Sequence, residues 1–148
     1  MRNKQWFLIQ TILLLLILFS PFRISVHLPA NIRYLSLFFF VIGGFIALYS
    51  VLSLKGNLKP SPKPRVGGYL VTSGLYKIVR HPAYSGIVIA ALGWGLWMND
   101  LIRILLTLVL FVFFDAKSRM EEKWLEKAYP EYKSYKKHVT KKFIPWLY

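Results

Sequence analysis

A run of 21 residues without a charged side chain, Tyr34–Leu54, constrains this chain more than any other feature of its sequence. A helix needs about 20 apolar residues to cross the hydrocarbon core of a bilayer, so this run is long enough to span a membrane. Three shorter apolar runs accompany it: Trp6–Phe22, Ala83–Met98 and Leu101–Phe114. The last two are separated only by Asn99-Asp100, a dipeptide typical of turns, and therefore predict an antiparallel hairpin of helices.

These runs predict an all-α integral membrane protein that forms a single domain over residues 1–148. We expect four transmembrane helices at about 6–22, 34–54, 83–98 and 101–114, followed by a cytoplasmic, helical C-terminal extension over 115–148. The first run could instead be a signal peptide, because Arg2 and Lys4 precede it. However, Ser20-Pro21-Phe22 is not a small-residue cleavage site, so we interpret the run as a span.

The basic residues indicate how these helices are oriented. Seventeen of the 20 lysines and arginines lie in the amino terminus, the second loop and the tail, which a four-span arrangement puts on one side. Only Arg23, Arg33 and Arg103 lie on the other side. By the positive-inside rule the larger group is cytoplasmic, which predicts a multi-pass protein with both termini in the cytoplasm.

The net charge of +14 is also typical of proteins that bind nucleic acids. Here, however, the basic residues flank apolar runs, where anionic lipid headgroups attract them. We therefore expect membrane lipids as partners and no nucleic acid. The chain has no cysteine, which excludes disulfides, thiolate metal sites and a cysteine nucleophile. The sequence predicts no metal site.

The stretch Arg80-His81-Pro82 lies where a basic loop leads into the third apolar run. Proline suits the first turn of a helix because it has no amide hydrogen to lose, so Pro82 predicts a helix start with His81 as its cap. This start places the arginine and the histidine at the membrane surface rather than inside the bilayer.

Folding the helical hairpin about its turn brings Tyr84 level with Asp115. It also places Glu121 and Glu122 within about one helical turn of the arginine and the histidine. We therefore expect a candidate site in this layer, with the imidazole of His81 and the two acids on opposite walls of one pocket.

Each of these residues also has an ordinary interpretation when it is taken alone. Arg80 could be an interface anchor, and His81 could be only a helix cap. Glu121 could pair with Lys117 on a solvated helix face, and Tyr132 could belong to an aromatic belt. Their convergence in one layer favours a functional site.

Two segments, Leu70–Tyr76 (LVTSGLY) and Val79–Gly86 (VRHPAYSG), carry a resemblance to a known family. They are similar to motifs of the membrane methyltransferases that include isoprenylcysteine carboxyl methyltransferase and the phospholipid N-methyltransferases. Later parts of the pattern follow in order: Glu121-Glu122-Lys123-Trp124-Leu125, Tyr132 with Tyr135, and Phe143-Ile144-Pro145. Leu75 and Lys77 depart from the family's usual residues, which bears on acceptor choice more than on cofactor binding.

The resemblance implies a methyltransferase that depends on S-adenosylmethionine. It implies that this cofactor contacts Tyr76, Arg80, His81, Tyr84, Gly86, Glu121, Glu122 and Tyr132. Catalysis would fall to Arg80, His81 and Glu122. An arginine and the open amides at a helix N-terminus attract the carboxylate of such a cofactor, and a glutamate attracts its ammonium. Methyl transfer needs alignment and exclusion of water more than a proton carrier.

The resemblance further implies a lipid-like or prenylated acceptor at the cytoplasmic membrane surface, most like isoprenylcysteine carboxyl O-methylation. Phospholipid amine N-methylation and thiol S-methylation stay open. An amine would need a base, for which His81 or a glutamate is the candidate. Two other classes also compete: a nicotinamide-dependent membrane reductase, and a non-catalytic basic membrane protein that binds anionic lipid or a partner. The oligomeric state stays open.

Overall fold

The computed structural model describes residues 3–54, 67–145 and 147–148 of the chain. Within these ranges the regular secondary structure is helical, and β pairing is limited to one isolated bridge between Ser25 and Asp100. The elements are α1 (Asn3–Phe19), α2 (Ala30–Ser53), a 3₁₀ turn (Gly74–Lys77), α3 (Pro82–Trp97), α4 (Leu101–Ala128) and α5 (Tyr132–His138). The prediction of an all-α protein is confirmed.

Prolines and a tight turn set the helix boundaries. Pro21 follows the end of α1 at Phe19. The helix α2 begins directly after Pro29, four residues earlier than predicted. Between α3 and α4, Asn99 adopts a positive φ of 51° and Asp100 caps α4, its Oδ1 accepting the Ile102 amide at 3.0 Å. The helix α4 does not end with its apolar run but continues as a charged helix to Ala128.

Fewer helices meet the length and composition criteria for a membrane span than the four that the sequence predicts. Among the described residues, α2 is the one helix that is both long enough and apolar enough to cross a membrane. Two shorter apolar helices, Lys4–Phe19 and Pro82–Trp97, occupy the predicted first and third spans. The fourth predicted span is the apolar first half of α4.

The helix α3 lies between α2 and α4, and α1 packs on α4. Glycines bring the backbones of α2 and α3 into direct contact: a Cβ added at Gly43 would lie 2.4 Å from the Ala90 nitrogen. A Cβ added at Gly86 would lie 2.4 Å from the Ala47 nitrogen, and Gly93 is equally close to α2. Small residues of this kind allow close helix packing. The structure therefore gives Gly86 a place in the α2–α3 interface.

A buried ion pair holds the end of the hairpin that lies away from His81. The guanidinium of Arg103 donates to the fully buried Asp100 carboxylate and to the Ile17 carbonyl, the latter at 3.0 Å. The Ile24 carbonyl accepts the Leu101 amide at 2.9 Å. These bonds fix the loop between α1 and α2 against the α3–α4 turn.

We predict that Gly43→Ala destabilises the protein by about 1–3 kcal/mol, because the added methyl group has no room against the α3 backbone. Its neighbour provides a matched control, since nothing lies within 4 Å of a Cβ added at Gly44. Gly44→Ala should leave stability unchanged or raise it by up to about 1 kcal/mol, because alanine is the better helix former. Thermal unfolding of both variants in the same detergent tests this, and equal melting temperatures would contradict the close α2–α3 packing.

Candidate functional site

The loop before α3 and the second half of α4 form a cluster of ionisable side chains, here called the carboxylate cluster: Arg80, His81, Glu121 and Glu122. His81 occupies the N-cap position of α3, as predicted, but its side chain does not cap the helix. Its buried imidazole instead faces α4, with Nε2 3.3 Å from Glu122 Oε1 and Nδ1 3.7 Å from Glu121 Oε2. The predicted residues therefore come together.

Glu122 is contacted by three cationic or imidazole side chains. Its Oε1 accepts a hydrogen bond from Arg80 Nε at 2.8 Å, and its Oε2 lies 2.9 Å from Lys136 Nζ on α5. Burial alone would raise the pKa of Glu122, but hydrogen bonds from His81, Lys136 and Arg80 outweigh it and hold this pKa well below its ordinary range. The carboxylate is therefore ionised at neutral pH, and it joins three segments of the chain.

Arg80 also binds the chain that follows α5. Its Nη1 donates to the carbonyl oxygens of Val139, at 2.9 Å, and Thr140. The backbone amides of Arg80 and His81 donate to the carbonyls of Lys141 and Lys142, both at 3.0 Å. Residues 139–145, here called the C-terminal strap, therefore close over the start of α3.

Lys142 in the strap and Tyr148 beyond it bind α4 at Asp115, which Arg119 of the same helix also contacts. The Asp115 Oδ1 atom accepts from Lys142 Nζ at 2.6 Å and from the Tyr148 hydroxyl at 2.7 Å, and Arg119 binds Oδ2. Burial raises the pKa of Asp115, but the hydrogen bonds from Lys142, Tyr148 and Arg119 lower it to about 2. The strap is therefore held at its start by Arg80 and at Lys142 by Asp115.

Glu121 has a different environment from its neighbour. Its Oε1 accepts the Tyr84 hydroxyl at 2.6 Å and lies 3.9 Å from Lys117 Nζ. The side chain is 17% exposed, against 7% for Glu122. The Tyr84 ring stacks between His81 and Phe114, at centroid distances of 5.6 and 4.3 Å. Glu121 is thus the more accessible carboxylate of the pair.

One detail of the predicted geometry is wrong: no pocket separates His81 from the acids, because they are in direct contact. The Tyr84 ring stacks on Phe114, the residue before Asp115, as the predicted register requires, while its hydroxyl reaches Glu121. The reason for this reach is the direction in which helical side chains lean. Long side chains tilt toward the N-terminus of their own helix. Tyr84 on α3 and Glu121 on the antiparallel α4 therefore lean toward each other.

A cavity of about 120 Å³ lies beside the cluster and is lined by Arg80 together with tyrosines 69, 76, 129, 132 and 135; we call it the tyrosine cavity. Tyr132 is 1% exposed, and its hydroxyl has no hydrogen-bond partner within the described part of the chain. Burial raises the pKa of Tyr132 and of Tyr76, so both hydroxyls stay protonated. The cavity thus offers aromatic faces and one unused buried hydroxyl.

A second, apolar pocket of about 300 Å³ lies between α3, α4 and the C-terminal strap; we call it the lateral pocket. Its wall includes Val88, Phe111 and Phe143. The Ser85 hydroxyl, which also lines it, donates to the Phe143 carbonyl at 2.6 Å and is thus satisfied. Tyr84 also lines this pocket and, through its hydroxyl, contacts the carboxylate cluster. The tyrosine therefore separates an apolar space from a charged one.

Sequence reasoning missed Lys136 and the strap carbonyls. Lys136 reaches Glu122 and Glu126, both at 2.9 Å, from a separate helix. Its spacing from Glu122 in the sequence does not distinguish it from the other lysines of the tail. Every residue has a backbone carbonyl, so the sequence does not show which carbonyls reach the site.

We predict that Glu122→Gln destabilises the protein by about 3–5 kcal/mol at neutral pH, because it leaves Arg80 without its buried counter-charge. A carboxylate with a lowered pKa adds stability above its unfolded pKa, about 4.3 for glutamate, and loses it as the pH falls through the folded value. The difference in melting temperature between wild type and variant should therefore shrink below about pH 4. Thermal unfolding of both proteins from about pH 3 to about pH 8 tests this prediction. A difference in melting temperature that does not depend on pH would contradict it.

Comparison with known proteins supplies the family. Residues 32–132 match the family model described as phospholipid methyltransferase. A probable protein-S-isoprenylcysteine O-methyltransferase of Oryza sativa subsp. indica is 39% identical over 72 residues, 47% of this chain and 38% of the relative. The protein-S-isoprenylcysteine O-methyltransferase of Schizosaccharomyces pombe is 40% identical over 72 residues, 47% of this chain and 30% of the relative.

A third relative has another name. The cobalt-zinc-cadmium resistance protein of Cupriavidus metallidurans is 34% identical over 84 residues, 56% of this chain and 38% of the relative. The matched part is thus between 30% and 38% of the length of these three relatives. The family match, by contrast, extends from within α2 to the start of α5. Because it covers most of the chain, we conclude that this chain belongs to the phospholipid methyltransferase family.

Proposed function

We propose that this chain transfers a methyl group from S-adenosylmethionine to a lipid-like acceptor at the cytoplasmic surface of a membrane. One observation carries the proposal: the carboxylate cluster and the apolar lateral pocket meet at a single side chain, Tyr84. A charged cofactor and an apolar acceptor could therefore approach the same point from two sides. The family and the names of the relatives support this class of reaction.

The charged side chains of the cluster fit the charges of the cofactor. Glu122 already binds Arg80 and Lys136, so the more exposed Glu121 is the better partner for an ammonium group. Within the described residues, Arg80 uses Nε and Nη1, which leaves Nη2 for a carboxylate. The amides of Tyr84 and Ser85 already donate to the His81 carbonyl and contribute less than the sequence suggested.

The tyrosine cavity fits an aromatic ring. Its volume of about 120 Å³ suits one ring system such as adenine rather than the whole cofactor. The unpartnered Tyr132 hydroxyl would gain a hydrogen bond there, since a buried polar group without a partner is costly. Gly86 lies against α2, so we leave it out of the proposed cofactor contacts. When bound, the cofactor supplies an electrophilic methyl group on its sulfonium.

The position of His81 bears on the atom that is methylated. Both imidazole nitrogens face carboxylates, Glu121 and Glu122, so the ring is held between two acids rather than aimed at an acceptor. A carboxylate acceptor needs no base, whereas an amine acceptor needs one. His81 is therefore poorly placed to act as a base, which supports O-methylation of a carboxylate; the Oryza and Schizosaccharomyces relatives are both named O-methyltransferases. The chain's own contribution is alignment and exclusion of water.

The surface of the helices supports a membrane location with four spans. Large apolar side chains point outward on α2 and on the first half of α4, such as Phe38, Phe45 and Val112, which are 60%, 65% and 66% exposed. Such side chains would face lipid. The distribution of basic residues would then put both termini and the carboxylate cluster on the cytoplasmic side.

One observation favours a non-catalytic role, the binding of anionic lipid. Four exposed lysines, 123, 127, 133 and 137, form no ion pair within the described ranges of the chain. Such residues attract anionic headgroups whether or not the protein is an enzyme. This role and methyl transfer differ in their dependence on Glu121, which only the enzymatic role requires.

We predict that the purified protein in lipid nanodiscs binds labelled S-adenosylmethionine, and that Glu121→Gln lowers the affinity by roughly tenfold. The loss corresponds to one charge-assisted hydrogen bond. Glu131→Gln is the matched control, since Glu131 is exposed and outside the cluster, and this variant should bind the cofactor as the wild type does. Equilibrium binding measures both. A wild-type protein that is folded and does not bind the cofactor would overturn the proposed function.

We also predict that Val88→Phe, which fills the lateral pocket, raises the KM for a prenylcysteine acceptor several-fold and leaves cofactor affinity unchanged. Val112→Phe is the matched control, because Val112 lies on the exposed side of α4. Methylation assays with a prenylcysteine, a phosphatidylethanolamine and an alkyl thiol identify the acceptor atom. Equal KM values for both valine variants would contradict acceptor binding in this pocket.

A further inference from the structure

Lys117 on α4 is a buried ammonium next to the carboxylate cluster. The residue is 5% exposed, and its Nζ donates to Gln10 Oε1 on α1 at 2.6 Å. The same nitrogen lies 5.1 Å from the centre of the Tyr84 ring and 3.9 Å from Glu121 Oε1. One cation thus contacts both members of the Tyr84–Glu121 hydrogen bond.

A lysine in this position is costly and therefore needs an explanation. Lysine is almost never fully buried unless it is paired, and burial here lowers its pKa. An apolar side chain would fill the same space between α1 and α4 at no such cost. The contacts with Gln10, the Tyr84 ring and Glu121 are those that keep the buried group charged.

The link to α1 lies outside the part of the chain common to the family. The family match begins at residue 32, whereas α1 ends at Phe19. The hydrogen bond of Gln10 is to Lys117, which in turn lies beside Glu121. Lys117 therefore gives the first helix a polar connection to the site.

We propose that Lys117, anchored by Gln10, is a positioning residue that fixes Glu121 and Tyr84 for cofactor binding. Without it, Glu121 would keep only the hydrogen bond from Tyr84 and could turn toward His81, whose Nδ1 lies 3.7 Å from Oε2. The inference rests on the proposed function, in which Glu121 binds the cofactor ammonium.

A double-mutant cycle tests the proposal by equilibrium binding of labelled S-adenosylmethionine in nanodiscs. Lys117→Met should weaken binding roughly fivefold to tenfold in the wild-type background and less than about twofold in the Glu121→Gln background. Gln10→Leu, which leaves the cluster intact, should weaken binding in the same direction by a smaller factor. Lys123→Met, an exposed lysine on the same helix, should bind as wild type does.

The outcomes separate this inference from the proposed function. A wild-type protein that does not bind the cofactor overturns the function. If the wild type binds, equal losses for Lys117→Met in both backgrounds, no loss, or tighter binding each overturn the positioning role. Thermal unfolding of every variant identifies any that fail to fold, and Gln10→Leu then carries the test alone, with an unchanged affinity counting against the proposal.

Discussion

The candidate site depends on one buried negative charge, the carboxylate of Glu122. A charge away from water is tolerated only when it is paired and hydrogen-bonded. Glu122 meets that requirement with Arg80, His81 and Lys136, which lie before α3 and on α5. Satisfying this carboxylate therefore brings three segments together, and Arg80 extends the same network to the carbonyls of the C-terminal strap.

The adjacent residues Glu121 and Glu122 therefore have different environments. Successive residues on a helix point about 100° apart, so Glu122 faces the loop and α5 while Glu121 faces Tyr84 and Lys117. The first has its oxygens occupied by the protein, and the second keeps more access to solvent. In our proposal this division leaves Glu122 to build the site and Glu121 to bind a ligand.

The sequence predicted the helices and the members of the cluster from local rules. Pro82 marks a helix start, and Asn99-Asp100 marks a two-residue turn, so the hairpin of α3 and α4 follows directly. The hairpin in turn brings His81 near Glu121 and Glu122. These predictions succeed because each depends on residues close together in the chain.

The remaining features depend on contacts that no local pattern encodes. The lean of Tyr84 and Glu121 toward each other lets the Tyr84 hydroxyl reach a residue more than one turn along α4 from Asp115. Lys136, Gln10 and the strap carbonyls reach the site from distant segments. Gly86 appeared to belong to the cofactor motif, yet its position against Ala47 is explained by helix packing.

The most direct test of the account is a structure determined in a lipid nanodisc with S-adenosylhomocysteine bound. We expect the ligand's ammonium within about 3.2 Å of a Glu121 oxygen. In that structure Glu122 should still be paired with Arg80 and His81. A ligand whose ammonium binds Glu122 with Arg80 displaced, or one that lies away from the carboxylate cluster, would contradict the division of roles between the two acids.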